Sequence, residues 1–282
     1  MSHLPDLLIT SPANPRLKAL IALRRRRIRD ETRTTVVEGH EELALALAAG
    51  VRPETHFVCP ELYSPAGRAG RQEIGHQDDV VGDARQLGAE GVRLSRDAFE
   101  KVAYRESPDG LVAVVSAVGQ ALATIEPGPG ALVLVSQGVE KPGNLGAMLR
   151  TADAAGAAAV IAADPVTDWG NPNVVRASKG TVFSLRVSAA TTAETLAWLA
   201  RHDIPLVVTT PDTDRLYTDV DLSGAVAVAV GAEKHGADDA LLAAAAYRVR
   251  IPMLGKVNSL NVAASAAVVV YEAVRQRSHP AP

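Results

Sequence analysis

"ALVLVSQGVEKPGNLGAMLRTADAAGAAAVIAA", residues 131–163, decides how the chain is built. ALVLVS (131–136) and AAAVIAA (157–163) are near-continuous apolar runs, the pattern of strands covered on both faces. Between them a polar turn with glycines opens a helix, and strand, helix, strand is the repeating unit of a parallel sheet. The alternation continues with IPLVVTT (204–210), AVAVAVG (225–231) and YRVRIP (247–252), and one intervening helix opens with a capping box, Thr191 with Glu194. The spacing predicts an open parallel α/β sheet for residues 131–282, which gathers ligands at the carboxyl ends of its strands.

Upstream, SAVGQALATIEPGPG (116–130) is rich in small residues, proline and glycine and reads as a connector. Before it, TTVVEG (34–39), THFVCP (55–60), GVRLS (91–95) and GLVAVVSA (110–117) read as strands. HEELALALAAG (40–50), closed by Gly50, and RDAFEKVAY (96–104) read as helices. The expected organisation is a smaller α/β domain over 1–117, a linker over 118–130 and the larger sheet domain over 131–282. Residues 63–80 are polar with scattered glycine and are expected at the surface.

The 282 residues, 47% apolar, are enough for two cores. A formal charge of −3 excludes a uniformly basic nucleic-acid binder without excluding a basic patch. Cys59, the single cysteine, excludes an internal disulfide and a cysteine-based zinc site and reads as a small buried residue. The first residues lack the blocks of a signal peptide, and no apolar run reaches the roughly 18 residues that span a bilayer. A soluble cytoplasmic protein with no metal is expected.

Three strand-ending turns stand out. The first, before and into the helix after 136, carries Gly143, Asn144 and Gly146, with Arg150 further along that helix. The second is GAEKHG (231–236), two glycines flanking an acid–base pair. The third, IPMLGKVNSLN (251–261), leads into an alanine-rich helix expected from 261 to 277. A packed core has no use for the glycine, asparagines and serine of that last turn, so a bound ligand is the better reading. No G-x-G-x-x-G follows the first strand, and no G-x-x-x-x-G-K-[ST] occurs, so dinucleotide and P-loop readings lose their support.

NLGAMLRTA (144–152), GAEKHG and IPMLGKVNSLNVAASAAVVVYE (251–272) resemble, in order, the three motifs of the SpoU/TrmH family of SPOUT RNA 2′-O-ribose methyltransferases. The N-terminal half resembles, more loosely, an L30e-like RNA-binding domain. The resemblance implies a parallel-sheet domain ending in a trefoil knot and preceded by that smaller domain. It also implies a pocket for S-adenosylmethionine (S-adenosyl-L-methionine) and a homodimer in which the last helix packs. Carried over by position, Thr209, Gly231, Ile251, Met253, Ser259 and Leu260 would line the cofactor site. Arg150, with Asn144, Glu233, Ser259 and Asn261 around it, would carry the chemistry.

The implied nucleophile, a ribose 2′-hydroxyl, is poor at neutral pH and must be oriented and partly deprotonated in the transition state. Two roles are open to Arg150. A guanidinium, with a pKa above about 12, is an awkward base, whereas its charge can hold a phosphate or lower the hydroxyl's pKa. Glu233 would orient neighbouring groups or pair with Lys234 or an arginine; His235 is a less favoured base outside the motif positions.

Residues 16–33 hold eight cations, among them Arg24, Arg25, Arg26 and Arg27, against Asp30 and Glu31, a local charge of +6. Four consecutive arginines on a helix would cover all its sides, which favours RNA contact through phosphates. RASKGTVFSLRV (176–187) resembles a further family segment, so Asn173, Arg176, Ser178 and Lys179 are candidates for RNA contact. Aromatic content of 4% argues against recognition by base stacking. The separate basic domain resembles that of the family's ribosomal-RNA-modifying members, which implies 23S ribosomal RNA as substrate, and the arrangement is similar to that of members that confer antibiotic resistance. A transfer-RNA 2′-O-methyltransferase, a non-catalytic RNA-binding protein and a small-molecule enzyme are the other readings.

Overall fold

The computed structural model describes residues 7–63 and 77–278. The chain forms two compact units, Met1–Val118 with Gly170–Ser184, and Gly119–Trp169 with Leu185–Pro282.

The first unit contains β1 (Leu7–Ile9), α1 (Pro15–Ala22), α2 (Arg26–Thr32), β2 (Thr34–Glu38), α3 (His40–Ala48), β3 (Pro53–Val58), α4 (Gln77–Gln86), β4 (Glu90–Leu94), α5 (Arg96–Val102) and β5 (Leu111–Ser116). Its sheet runs β1-β4-β3-β5-β2, parallel from β1 to β3 and antiparallel where β5 pairs with β3 and β2. Alternation sorts its apolar residues. Val36, Phe57, Val92 and Val112 join Leu17 and Leu20 of α1 and Phe99 of α5 in one cluster, which also takes in Cys59. Burial pushes the Cys59 thiol up, which fits an inert side chain.

The second unit contains β6 (Leu132–Gln137), α6 (Pro142–Ala154) and β7 (Ala159–Ala163). The chain then leaves to form α7 (Pro172–Ala177) and α8 (Thr181–Ser184), which pack on β2 and α3 as part of the first unit. It returns as β8 (Val187–Ala190), α9 (Thr192–Arg201), β9 (Leu206–Thr209), β10 (Val226–Val230), α10 (Asp239–Ala244), β11 (Tyr247–Val249) and α11 (Val262–Ser278). The six strands are all parallel, ordered β11-β9-β10-β6-β7-β8. On one face Val133, Val135, Ile161, Val208 and Ala229 meet Trp198 of α9 and Leu241 of α10; α6 and α11 pack together on the other side. The capping box forms, with Thr191 and Glu194 each bonded to the other's backbone N–H.

Several details depart from expectation. The stretch read as a linker belongs to the second unit from Gly119 onward: Leu122 and Ile125 sit in its core, and Trp198 donates Nε1–H to the Ile125 carbonyl at 3.2 Å. The residues joining α7 and α8 to the first unit lie inside the span read as one domain. Of the presumed surface stretch, residues 64–76 lie outside the described residues, and Val80 is buried within α4. Gly143 and Gly146 are helical residues of α6; the positive φ of the preceding turn falls on Gly138 at 62°. Among the described residues no helix is long and apolar enough to cross a membrane, and no cluster of metal ligands occurs.

At the β2–α3 turn, His40 meets Asp109 twice, through its backbone N–H at 2.8 Å and through Nδ1 at 2.9 Å. The Asp109 hydrogen bond raises the His40 imidazole above its usual value, against desolvation, with the charges of Asp109, Glu41 and Glu42 adding to it. The folded state thus holds that proton more tightly than the unfolded chain. The pair's stabilisation is complete below about pH 6.5 and is lost as pH rises through the higher folded value. Denaturant unfolding of the first unit is expected to show lower stability at about pH 8 than at about pH 6, and His40→Gln to flatten that fall. An unchanged fall in the variant would assign the proton elsewhere.

Candidate active site

A cavity of about 580 Å³ opens at the carboxyl ends of β9 and β10, where Thr209 and Val230 close their strands. All three polar turns reach it. Asn144 comes from the first turn of α6, Gly231 and Glu233 from the turn after β10, and Ile251, Met253, Ser259, Leu260 and Asn261 from the segment before α11. Both apolar and polar residues line it: Ile251, Met253 and Leu260 beside Ser259, Asn144 and Asn261. Thr209 Oγ1 is buried with no hydrogen-bond partner among the described residues.

The turn after β10 is held by close backbone approach. Ala232 and Gly236 exchange both backbone hydrogen bonds, at 3.0 and 2.9 Å, and this small loop folds back against Gly231. A Cβ at Gly231 would collide with the backbone of Gly236 and Ala237. Gly236 itself is needed for a different reason, its φ of 69°.

One side chain joins the three turns. Asn144 donates Nδ2–H to Glu233 Oε1 at 2.6 Å and accepts from Asn261 Nδ2 at 3.1 Å. Asn261 in turn caps α11, accepting the Ala263 N–H at 2.9 Å. Burial works to raise the Glu233 carboxyl. Hydrogen bonds from its own N–H, the Asn144 amide and the Glu140 N–H, with the Lys141 charge, outweigh that and hold it below the usual glutamate value. Glu233 is therefore an ionised anchor at neutral pH. Lys234 pairs with Glu140 at 3.8 Å and not with Glu233, and His235 is exposed.

Arg150 stands apart. It follows Asn144 by six residues in α6, which moves it about 9 Å along the axis and about 240° around it. It is exposed, does not line the cavity, and has no hydrogen-bond or ion-pair partner among the described residues. Lys141 and Arg250 line the cavity without having been singled out in the sequence, and Asn258, one of the asparagines of the last turn, lines it as well.

The basic run does not lie on one helix. Arg24 and Arg25 form the turn between α1 and α2, and Arg26 opens α2, because backbone bonds to Ile21 and Ala22 close the first helix there. Arg26 and Arg27 pair with Asp30 and Glu31 at 3.5 and 3.3 Å. Arg176 on α7 is exposed, and Lys179 is exposed with Nζ 3.9 Å from Glu41. Ser178 is fully buried and donates to the Val175 carbonyl, so its hydroxyl is committed to the fold and leaves the RNA-contact set.

The model of the SpoU rRNA methylase family matches residues 131–271, and that of an MRM3-like substrate-binding domain matches residues 14–113. The chain belongs to the SpoU rRNA methylase family. A relative within that family, the Bacillus subtilis 23S rRNA (guanosine(2553)-2′-O)-methyltransferase RlmP, is 31% identical over 93% of this chain and 97% of its own. Solved structures agree. The crystal structure of an RNA 2′-O ribose methyltransferase, 42% identical, superposes with a TM-score of 0.80 over 96% of this chain and 100% of that one. The AdoMet-bound rRNA methyltransferase from Sinorhizobium meliloti, 28% identical, gives 0.84 over 97% and 98%.

The two glycines of the SpoU turn make a paired prediction. Gly231→Ala forces backbone movement, which costs about 1–3 kcal/mol or more, whereas Gly236→Ala meets open space and carries only the left-handed penalty of about 1–2 kcal/mol. Chemical denaturation of both variants is expected to rank Gly231→Ala as the less stable; the reverse order would refute the close-approach account.

Proposed function

We propose that this chain methylates a ribose 2′-hydroxyl in 23S ribosomal RNA, using S-adenosylmethionine, in the cytoplasm. The observation that carries the reading is the cavity itself, which gathers three separate turns around apolar and polar walls. Its volume, about 580 Å³, suits a ligand of nucleoside size, within the roughly 300–1,000 Å³ usual for such sites. Ile251, Met253 and Leu260 would cover the flat faces of adenine. Thr209, Ser259 and the backbone at Gly231 would take its polar groups. Bound S-adenosylmethionine supplies a methyl group on a sulfonium, which a hydroxyl oxygen accepts with loss of its proton.

The chain's own residues then have to orient that hydroxyl and accommodate its charge. Glu233, kept ionised, holds Asn144, and Asn144 holds Asn261, so the two amides enter the reaction already placed. Preorganisation of this kind can be worth about 7–11 kcal/mol. The lowered carboxyl makes Glu233 a weak base and favours the orienting role. Arg150, exposed and unpaired, is free to hold a phosphate of the target nucleotide or to favour the deprotonated hydroxyl by its charge. The knotted path of residues 251–261 and the homodimer belong to the same reading. Leu254 at 99% exposure and Val257 at 63% lie on the segment before α11, and Tyr271 at 47% on that helix. They form apolar surface that a second copy would cover.

Protein-free 23S RNA incubated with methyl-tritiated S-adenosylmethionine is expected to take up label at a single ribose. Arg150→Ala is expected to lower transfer by at least about 100-fold while leaving cofactor affinity nearly unchanged. Label on transfer RNA instead would overturn the target, and no label on naked RNA or on assembled ribosomal subunits would overturn the activity. Thr209→Val removes the unpartnered hydroxyl, and calorimetry is expected to show cofactor binding weakened by about 1 kcal/mol, roughly fivefold. Unchanged affinity would remove Thr209 from the cofactor site.

A further inference from the structure

Two arginines far apart in sequence are held by one turn of the first unit. Arg24 donates through Nη2 to the carbonyl oxygens of Ala103 at 2.9 Å and Val102 at 3.3 Å, with its guanidinium carbon 4.7 Å from the centre of the Tyr104 ring. Arg176 donates through Nη1 to the next carbonyl, that of Tyr104, at 3.4 Å, and through Nη2 to Asn173 Oδ1 at 3.3 Å. Both side chains are exposed. Neither has a carboxylate within ion-pair distance among the described residues. Arg26 and Arg27, by contrast, have their charge answered by Asp30 and Glu31.

The turn beneath them is fixed by a buried polar cluster. Glu38, 4% exposed, accepts the N–H groups of Tyr104 at 2.9 Å and Arg105 at 3.3 Å. The Arg105 guanidinium donates to the Glu38 carbonyl at 3.0 Å and to Glu42 Oε1 at 2.5 Å, Glu42 being 5% exposed. On the other side Arg29, also buried, donates to the carbonyls of Leu23 and Arg24 at 2.8 and 3.0 Å, which holds the backbone that carries Arg24. Two guanidinium groups are therefore placed by neutral carbonyls on a rigid support and left with their full charge facing solvent. Little side-chain freedom remains to be lost when an anion binds there.

We infer that Arg24 and Arg176 form a two-pronged clamp for the sugar–phosphate backbone of RNA, while the adjacent Arg26 and Arg27 contribute only diffuse charge. The inference rests on the reading of RNA as substrate and narrows which of its basic residues touch it. Phosphate, not base, is the matching ligand. The face of Tyr104 is already taken by Arg24, and planar guanidinium groups suit phosphate oxygens. A backbone clamp positions the RNA without reading its sequence.

The test compares two double variants with the same loss of charge, Arg24→Gln with Arg176→Gln and Arg26→Gln with Arg27→Gln. Filter binding to protein-free 23S RNA is measured over a range of salt. The clamp variant is expected to bind at least about tenfold more weakly near physiological salt, with a salt slope shallower by about 1.4–1.8, two contacts at roughly 0.7–0.9 each. The paired-arginine variant is expected to lose less than about threefold, its slope nearly unchanged. Equal losses, or a greater loss from the second variant, would overturn the clamp.

Thermal melting and cofactor calorimetry report whether the first variant folds. If it does not, Arg176→Gln alone, set against Arg27→Gln alone, makes the same comparison with one contact. A wild type that binds 23S RNA but transfers no methyl group would fail the catalytic reading and leave the clamp standing. Methyl transfer with wild-type binding by the clamp variant would fail the clamp alone. No RNA binding by the wild type would fail both.

Discussion

Asn144 is a single amide with two neighbours, and the site depends on it. Its nitrogen reaches Glu233 and its oxygen receives Asn261, so the helix after β6, the turn after β10 and the cap of α11 are tied at one point. Each of these turns hangs from a rigid element. A sheet of six parallel strands, buried on both faces, leaves the carboxyl ends of its strands as the place where irregular backbone can meet a ligand. The tie turns three loops with independent positions into one wall.

That wall has been assembled with opposed tendencies. Partial burial works to raise the Glu233 carboxyl, and the hydrogen bonds around it work the other way and prevail. An ionised carboxylate held by an amide is a good positioning device and a poor proton acceptor. Arg150 lies outside the cavity on the exposed side of α6, whereas Lys141 and Arg250 are cations of its wall. The two units divide the work along similar lines. One presents a cavity built from turns, the other a surface where buried acids fix a turn and exposed arginines ride on it.

Much of this was legible in the sequence, for identifiable reasons. Strands β6, β7 and β10, five or six residues long, are buried throughout and rich in valine and alanine, so their runs are unbroken. The edge strands β1 and β8, three and four residues long, leave too short a pattern to recognise. The residues that line the cavity were legible through motif order and through glycines and asparagines that a packed core would not use. Lys141 and Arg250 were not: a lysine in a turn and an arginine ending a strand each have an ordinary local meaning.

The sequence by itself determined the two α/β sheets, the family, and the three turns that carry its motifs, because hydrophobic period and turn chemistry are local properties written in consecutive residues. Only the tertiary structure decided that residues 170–184 leave their neighbours to join the first unit, and that Leu122 and Ile125 anchor the stretch 119–130 in the core of the second unit. It likewise decided which arginines pair with carboxylates and which do not. Ion pairing and burial depend on what folds alongside a residue, and one-dimensional spacing does not record that.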